Sequence, residues 1–97
     1  MITSKERSSL RALAHSLVPV VIVGKEGLTD ALINSVDDVL EARELIKIRL
    51  LNNCPLQTRE VSAMLCEKLS CEGVQCIGSI VVLYRYSKKK DIKHIAY

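Results

Sequence analysis

Apolar positions along the chain switch between a helical and a strand period several times. Leu10, Leu13, Ala14 and Leu17 recur at i, i+3, i+4 and i+7. That stripe predicts a helix capped by Thr3 or Ser4 and running to about residue 16, with Lys5, Arg7 and Arg11 on its other faces. Pro19 blocks further helix and opens the β-branched run 20–23, a strand expected to be buried on both faces. Beyond a glycine loop, Thr29 is the expected cap of a second helix. Leu32, Val36, Val39 and Leu40 form its inner stripe, and Asp37, Asp38, Glu41 and Glu44 its wet side.

The period then drops to two. Ile46, Ile48 and Leu50 alternate with Lys47 and Arg49, which predicts a half-buried strand over 45–51. The two cations would stand about 7 Å apart on its outer face. That face suits either a polyanion or plain solvation. A turn at 52–55 leads to a third helix over 58–69, with Val61, Met64, Leu65 and Leu69 inward. Two strands, 74–77 and 80–86, flank Gly78-Ser79 as a hairpin with a type II′ turn. The order α-β-α-β-α-β-β predicts an α+β, two-layer fold with a mixed four-stranded sheet, although strand order does not follow from the pattern. Residues 1–97 form one domain, with a basic tail, extended or loosely ordered, from about residue 87.

The loop between the first strand and the second helix is Gly24-Lys25-Glu26-Gly27. Two glycines permit a tight turn and a close backbone approach, and a following helix N-terminus favours anions. Lys25 adds a mobile cation, so a phosphate-bearing partner is the first functional expectation. Many strand-to-helix turns of this composition bind nothing. The spacing is neither that of a nucleotide-hydrolysing phosphate loop nor that of a dinucleotide fingerprint, both of which need a longer or a third glycine step.

Charge sharpens this picture. The 97 residues carry a net charge of +3, unevenly spread. Residues 1–25 and 85–97 are basic, whereas residues 26–46 hold six acids against Arg43. Such a dipolar molecule can hold a polyanion on one side only. Cys54, Cys66, Cys71 and Cys76 lack zinc spacing and read as small buried hydrophobes in a reducing compartment. No metal or other cofactor is expected. His15 is explained by the end of the first helix, and His94 has no visible acid–base partner, so no catalytic residue and no enzyme activity are expected. No apolar run approaches the roughly 18–20 residues that cross a bilayer, and the N-terminal residues show no signal-peptide core, which points to a cytoplasmic protein.

Four stretches together carry a resemblance: LRALAH at 10–15, PVVIVGKEGLT at 19–29, ELIKI at 44–48 and IGSIVVLYR at 77–85. In this order and spacing the chain resembles the CRM domain, the chloroplast RNA splicing and ribosome maturation family, and most of all its small bacterial YhbY-type members. The resemblance implies a fold similar to the C-terminal domain of translation initiation factor three. It also implies an RNA-binding protein that associates with precursor large-subunit ribosomal RNA and assists ribosome assembly; the protein itself is expected to be a monomer. Carried over by residue, Gly24, Lys25, Glu26 and Gly27 would clamp the RNA backbone. Lys47, Arg49, Arg85, Lys88, Lys89 and Lys90 would supply the basic surface near them. Glu26 departs from what a phosphate clamp wants; it could point to solvent or pair with Lys25.

Three tyrosines, no Phe and no Trp leave little for an aromatic base-stacking platform. Binding is therefore expected to rest on phosphates and shape, with steep salt dependence. The alternative is a protein–protein adaptor that docks on ribosomal or assembly proteins through the acidic second helix, without touching RNA.

Overall fold

The computed structural model describes residues 2–89 and 91–97. Its elements are α1 (Ser4–Ala14), β1 (Pro19–Val23), α2 (Asp30–Arg43), β2 (Leu45–Leu50), α3 (Thr58–Leu69), β3 (Glu72–Ile77) and β4 (Ile80–Tyr84). Local chemistry sets the helix starts. The Thr3 hydroxyl accepts from Glu6 N at 3.0 Å while the Glu6 carboxylate accepts from Thr3 N at 2.8 Å, a reciprocal capping box. Thr29 caps α2 by accepting from Leu32 N at 3.2 Å. Ser70, in the left-handed region at φ +53°, ends α3. Gly78 takes φ +56° while Ser79 does not have positive φ, the sign pattern of the expected type II′ hairpin.

The sheet order is β1-β2-β4-β3. β1 and β2 are parallel, joined through α2, and the other two pairings are antiparallel. One face carries Val21, Val23, Ile46, Ile48, Val81 and Leu83, sealed by Val36 and Leu40 of α2 and Val61 and Leu65 of α3. Burying one such aliphatic side chain stabilises the fold by roughly 1.5–3 kcal/mol. The opposite face packs Leu45, Val74, Val82 and Tyr84 against Leu10 and Ala14 of α1. The helices therefore divide over both faces of the sheet, two on one and one on the other, which adds a third layer to the two expected.

Several other expectations are corrected. α1 lies over β2, β4 and β3, so edge strand β1 is covered on one face only. Val20 is consequently part-exposed and Ile22 is 56% exposed, although the run 20–23 reads as buried on both sides. Leu13 and Leu17 are likewise exposed, and Met64 is 37% exposed on α3 rather than in the core. Cys71 alone of the four cysteines is buried; Cys54 and Cys66 are half-buried and Cys76 is exposed.

Glu44 departs furthest from expectation. Read as a wet-side residue, it is fully buried, at φ +66° just past the last turn of α2. The left-handed step swings its side chain away from the helix's solvent face and into the body. There it accepts from Ser87 N at 2.7 Å, Ile95 N at 2.8 Å and His94 Nδ1 at 2.6 Å. Burial pushes this carboxyl up, but the Ser87 amide, the His94 ring and the Ile95 amide outweigh it and hold the group below the usual carboxylate range. The C-terminal segment thus has no helix or strand among its described residues, yet it is tied to the body at both ends. His94, read from sequence as partnerless, also stacks on Tyr86 with ring centroids 4.1 Å apart.

Candidate nucleic-acid interface

The loop Gly24-Lys25-Glu26-Gly27 is a closed turn, with Gly27 N donating to Gly24 O at 3.1 Å. Lys25 and Glu26 keep ordinary negative φ, whereas Gly27 sits at φ +66° and is buried. A Cβ at Gly27 would meet Pro55 Cγ at 3.6 Å and Leu56 Cδ1 at 3.8 Å, so the demand for glycine there is conformational more than spatial. At Gly24 a Cβ would meet only Leu51 Cδ1, at 3.7 Å. The two glycines therefore have different roles: the second shapes the turn, and the first leaves its outer side bare.

The turn is held against the β2–α3 connection. Leu51 N donates to Val23 O at 2.9 Å, and Cys54 N closes back on Leu51 O at 3.0 Å. Between loop and connection lies an open depression of about 490 Å³, with Ile22, Leu32 and Leu51 below and Lys25 and Asn53 at its rim. Ile22, Leu51 and Asn53 were not singled out by sequence. Leu51 and Asn53 reach the loop through the parallel β1–β2 pairing, which no local pattern announces, whereas Ile22 lies just before it in the chain. Thr29 and Leu28 separate the turn from α2, and the Thr29 hydroxyl already takes one of the helix's free N–H groups.

The expected cations fall into two groups. Lys25 is exposed in the loop, and Arg49 is exposed on β2, where the β1–β2 register sets it against Ile22, two residues before Gly24. Lys47 lies one pleat further along the same face. It is half-buried, and its Nζ donates to His15 O at 3.4 Å, at the carbonyl end of α1. Neither Lys25 nor Glu26 makes an ion pair among the described residues, and the Glu26 carboxylate is exposed to solvent.

Arg85 is not brought to the loop. β4 runs antiparallel to β2, pairing Ile80 with Arg49 and Tyr84 with Leu45. Arg85, Lys88 and Lys89 therefore lie toward the far end of the sheet. The Arg85 side chain, 16% exposed, is taken up internally. It bridges to Asp37 Oδ1 at 2.8 Å and Glu41 Oε2 at 3.2 Å, and donates to Leu69 O and Asp37 O at 2.9 and 3.1 Å. Asp37 and Glu41 are accordingly ion-pair partners rather than solvated acids. Lys88 and Lys89 are exposed, and Lys90 lies outside the described residues. Among the described residues no group of acids, thiols and imidazoles suits a metal ion, and no helix is long and apolar enough to cross a membrane.

Comparison with known proteins matches residues 2–85 to the model of the CRS1 / YhbY (CRM) domain. The chain is 42% identical over 89 residues to the "Probable RNA-binding protein YqeI" of Bacillus subtilis, covering 92% of this chain and 93% of the relative. It is 34% identical over 94 residues to a Haemophilus influenzae protein named "RNA-binding protein", covering 95% and 93%. Among solved structures, the solution structure of SAV1595 from Staphylococcus aureus superposes with a TM-score of 0.79 at 42% identity, over 94% of this chain and 95% of that one.

Proposed function

Because the chain belongs to the CRS1 / YhbY (CRM) domain family, we propose that it is a non-enzymatic, single-domain RNA-binding protein that grips the phosphate backbone with its Gly24–Gly27 turn. The observation that carries this reading is an exposed Lys25 next to Gly24, whose Cβ position meets only Leu51, with a second exposed cation, Arg49, set against Ile22 just before the loop. A backbone can approach Gly24 closely, and the two cations lie on the same end of the β1–β2 pair. Glu26 faces solvent and weakens the grip without blocking it. Lys47 extends the footprint along the same sheet face, and Lys88, Lys89 and Lys90 supply a second basic region. Arg85 is left out, because its guanidinium is already committed to Asp37 and Glu41.

The family resemblance further supports precursor large-subunit ribosomal RNA as the partner and ribosome assembly, in the cytoplasm and as a monomer, as the setting. A chain with so few aromatics would read structured RNA by shape and phosphate spacing rather than by base identity. The test is filter binding of a Gly24→Asp, Lys25→Glu variant to structured ribosomal RNA fragments, alongside circular dichroism. A folded variant with at least tenfold weaker binding is expected; unchanged affinity in a folded variant refutes the clamp. The uncovered strip of Val18, Val20 and Ile22 favours the adaptor alternative. Retention on purified assembly proteins after RNase treatment would select it.

A further inference from the structure

Cys66 and Cys71 place their sulfurs 3.8 Å apart at the end of α3. Five positions of sequence separate them, and the left-handed Ser70 reverses the chain so that Cys71, at the entry to β3, comes back beside the last turns of the helix. Cys54 and Cys76 make no sulfur–sulfur contact among the described residues. We infer that Cys66 and Cys71 form a dithiol modification site that hydrogen peroxide oxidises to an intramolecular disulfide.

The two sulfurs differ in character. The Cys71 thiol donates to Cys66, and this bond lowers the Cys66 thiol to about 7; burial opposes the shift and the Ser62 hydroxyl assists it. The same bond, together with burial and the Cys66 charge, pushes Cys71 up. Cys66 is half-buried and Cys71 buried, so the accessible sulfur is also the one that ionises first. The Cys66 thiolate attacks one peroxide oxygen; the O–O bond breaks, a sulfenic acid forms, and the leaving hydroxide takes up a proton to give water. Cys66 then no longer carries the charge that disfavoured Cys71 ionisation. Cys71 gives up its proton and attacks Cys66 Sγ; the S–O bond breaks and a second water leaves. Two thiols and one hydrogen peroxide yield one disulfide, and the two electrons lost by sulfur reduce the peroxide. To form the bond the sulfurs must close from 3.8 Å to about 2.05 Å.

The experiment treats the whole protein with hydrogen peroxide, traps free thiols by alkylation, and maps the peptides by mass spectrometry. The expected product is lighter by two hydrogens within the peptide holding Cys66 and Cys71, while exposed Cys76 and half-buried Cys54 are still alkylated. In Cys71→Ser the oxidation should stop at a sulfenic acid on Cys66, trapped by dimedone; in Cys66→Ser no intramolecular disulfide should form. Earlier oxidation of Cys76 or Cys54, or progress of Cys66 to sulfinic acid in the unmutated protein without a disulfide, would overturn the assignment.

Discussion

Replacing Glu44 by Gln removes one negative charge from the interior and alters little else in volume. In the native protein both carboxylate oxygens accept: Oε2 from Ser87 N and His94 Nδ1, Oε1 from Ile95 N. A carboxamide has one acceptor oxygen, and its NH₂ must face at least one of these N–H donors. One or two charge-assisted bonds are lost and a buried amide is left unsatisfied. At about 1.5–3 kcal/mol for each hydrogen bond to a charged group, a destabilisation of about 2–4 kcal/mol follows. Urea unfolding at neutral pH should show it as a lower midpoint with a nearly unchanged slope. Hydrogen exchange should locate it, with the Ser87 and Ile95 amides losing protection first. The sign of the pH dependence follows from the depressed carboxyl of the folded state. Its stabilisation is complete above the unfolded carboxyl's value of about 4.3 and disappears as pH falls through the lower folded value. Wild-type protein should therefore lose more stability on acidification below about pH 4.3 than Glu44→Gln does. Equal midpoints at pH 7, or identical acid profiles, would show that the buried carboxylate does not hold the C-terminal segment.

Gly27→Ala forces a side chain into left-handed backbone and should cost about 1–2 kcal/mol in urea unfolding, whereas Gly24→Ala, with only an ordinary approach to Leu51, should be near neutral. Lys25→Ala with Arg49→Ala should flatten the log–log salt dependence of RNA binding by about one unit for each phosphate no longer neutralised. Lys88→Ala with Lys89→Ala, at the far end of the sheet, should flatten it less; the reverse order in filter binding would move the main grip away from the loop. Arg85→Leu strips partners from Asp37, Glu41 and the Leu69 carbonyl, and should lower stability by about 2 kcal/mol in thermal or urea unfolding without a specific effect on the salt slope.

Element order was legible because each signal is local. The cap at Thr3 or Ser4, the Thr29 cap, the alternation of Ile46, Lys47, Ile48 and Arg49, and the Gly78-Ser79 turn all act over a few residues, where periodicity and backbone preference decide conformation. The family resemblance was equally legible, since it lies in stretches of consecutive residues. The glycine loop was visible too, but the difference in role between Gly24 and Gly27 was not. Tertiary structure decided everything that depends on which strands lie side by side. The β1-β2-β4-β3 order leaves Ile22 uncovered, sets Arg49 against Ile22 just before the loop, and carries Arg85 to the opposite end and into an ion-pair network. Glu44 shows the physical reason. Helical spacing assigns it to solvent, but a single left-handed step after Arg43 turns its carboxylate inward, where amides from residues more than forty positions away satisfy it. A local pattern can say that a residue is charged; only the folded chain decides what that charge meets.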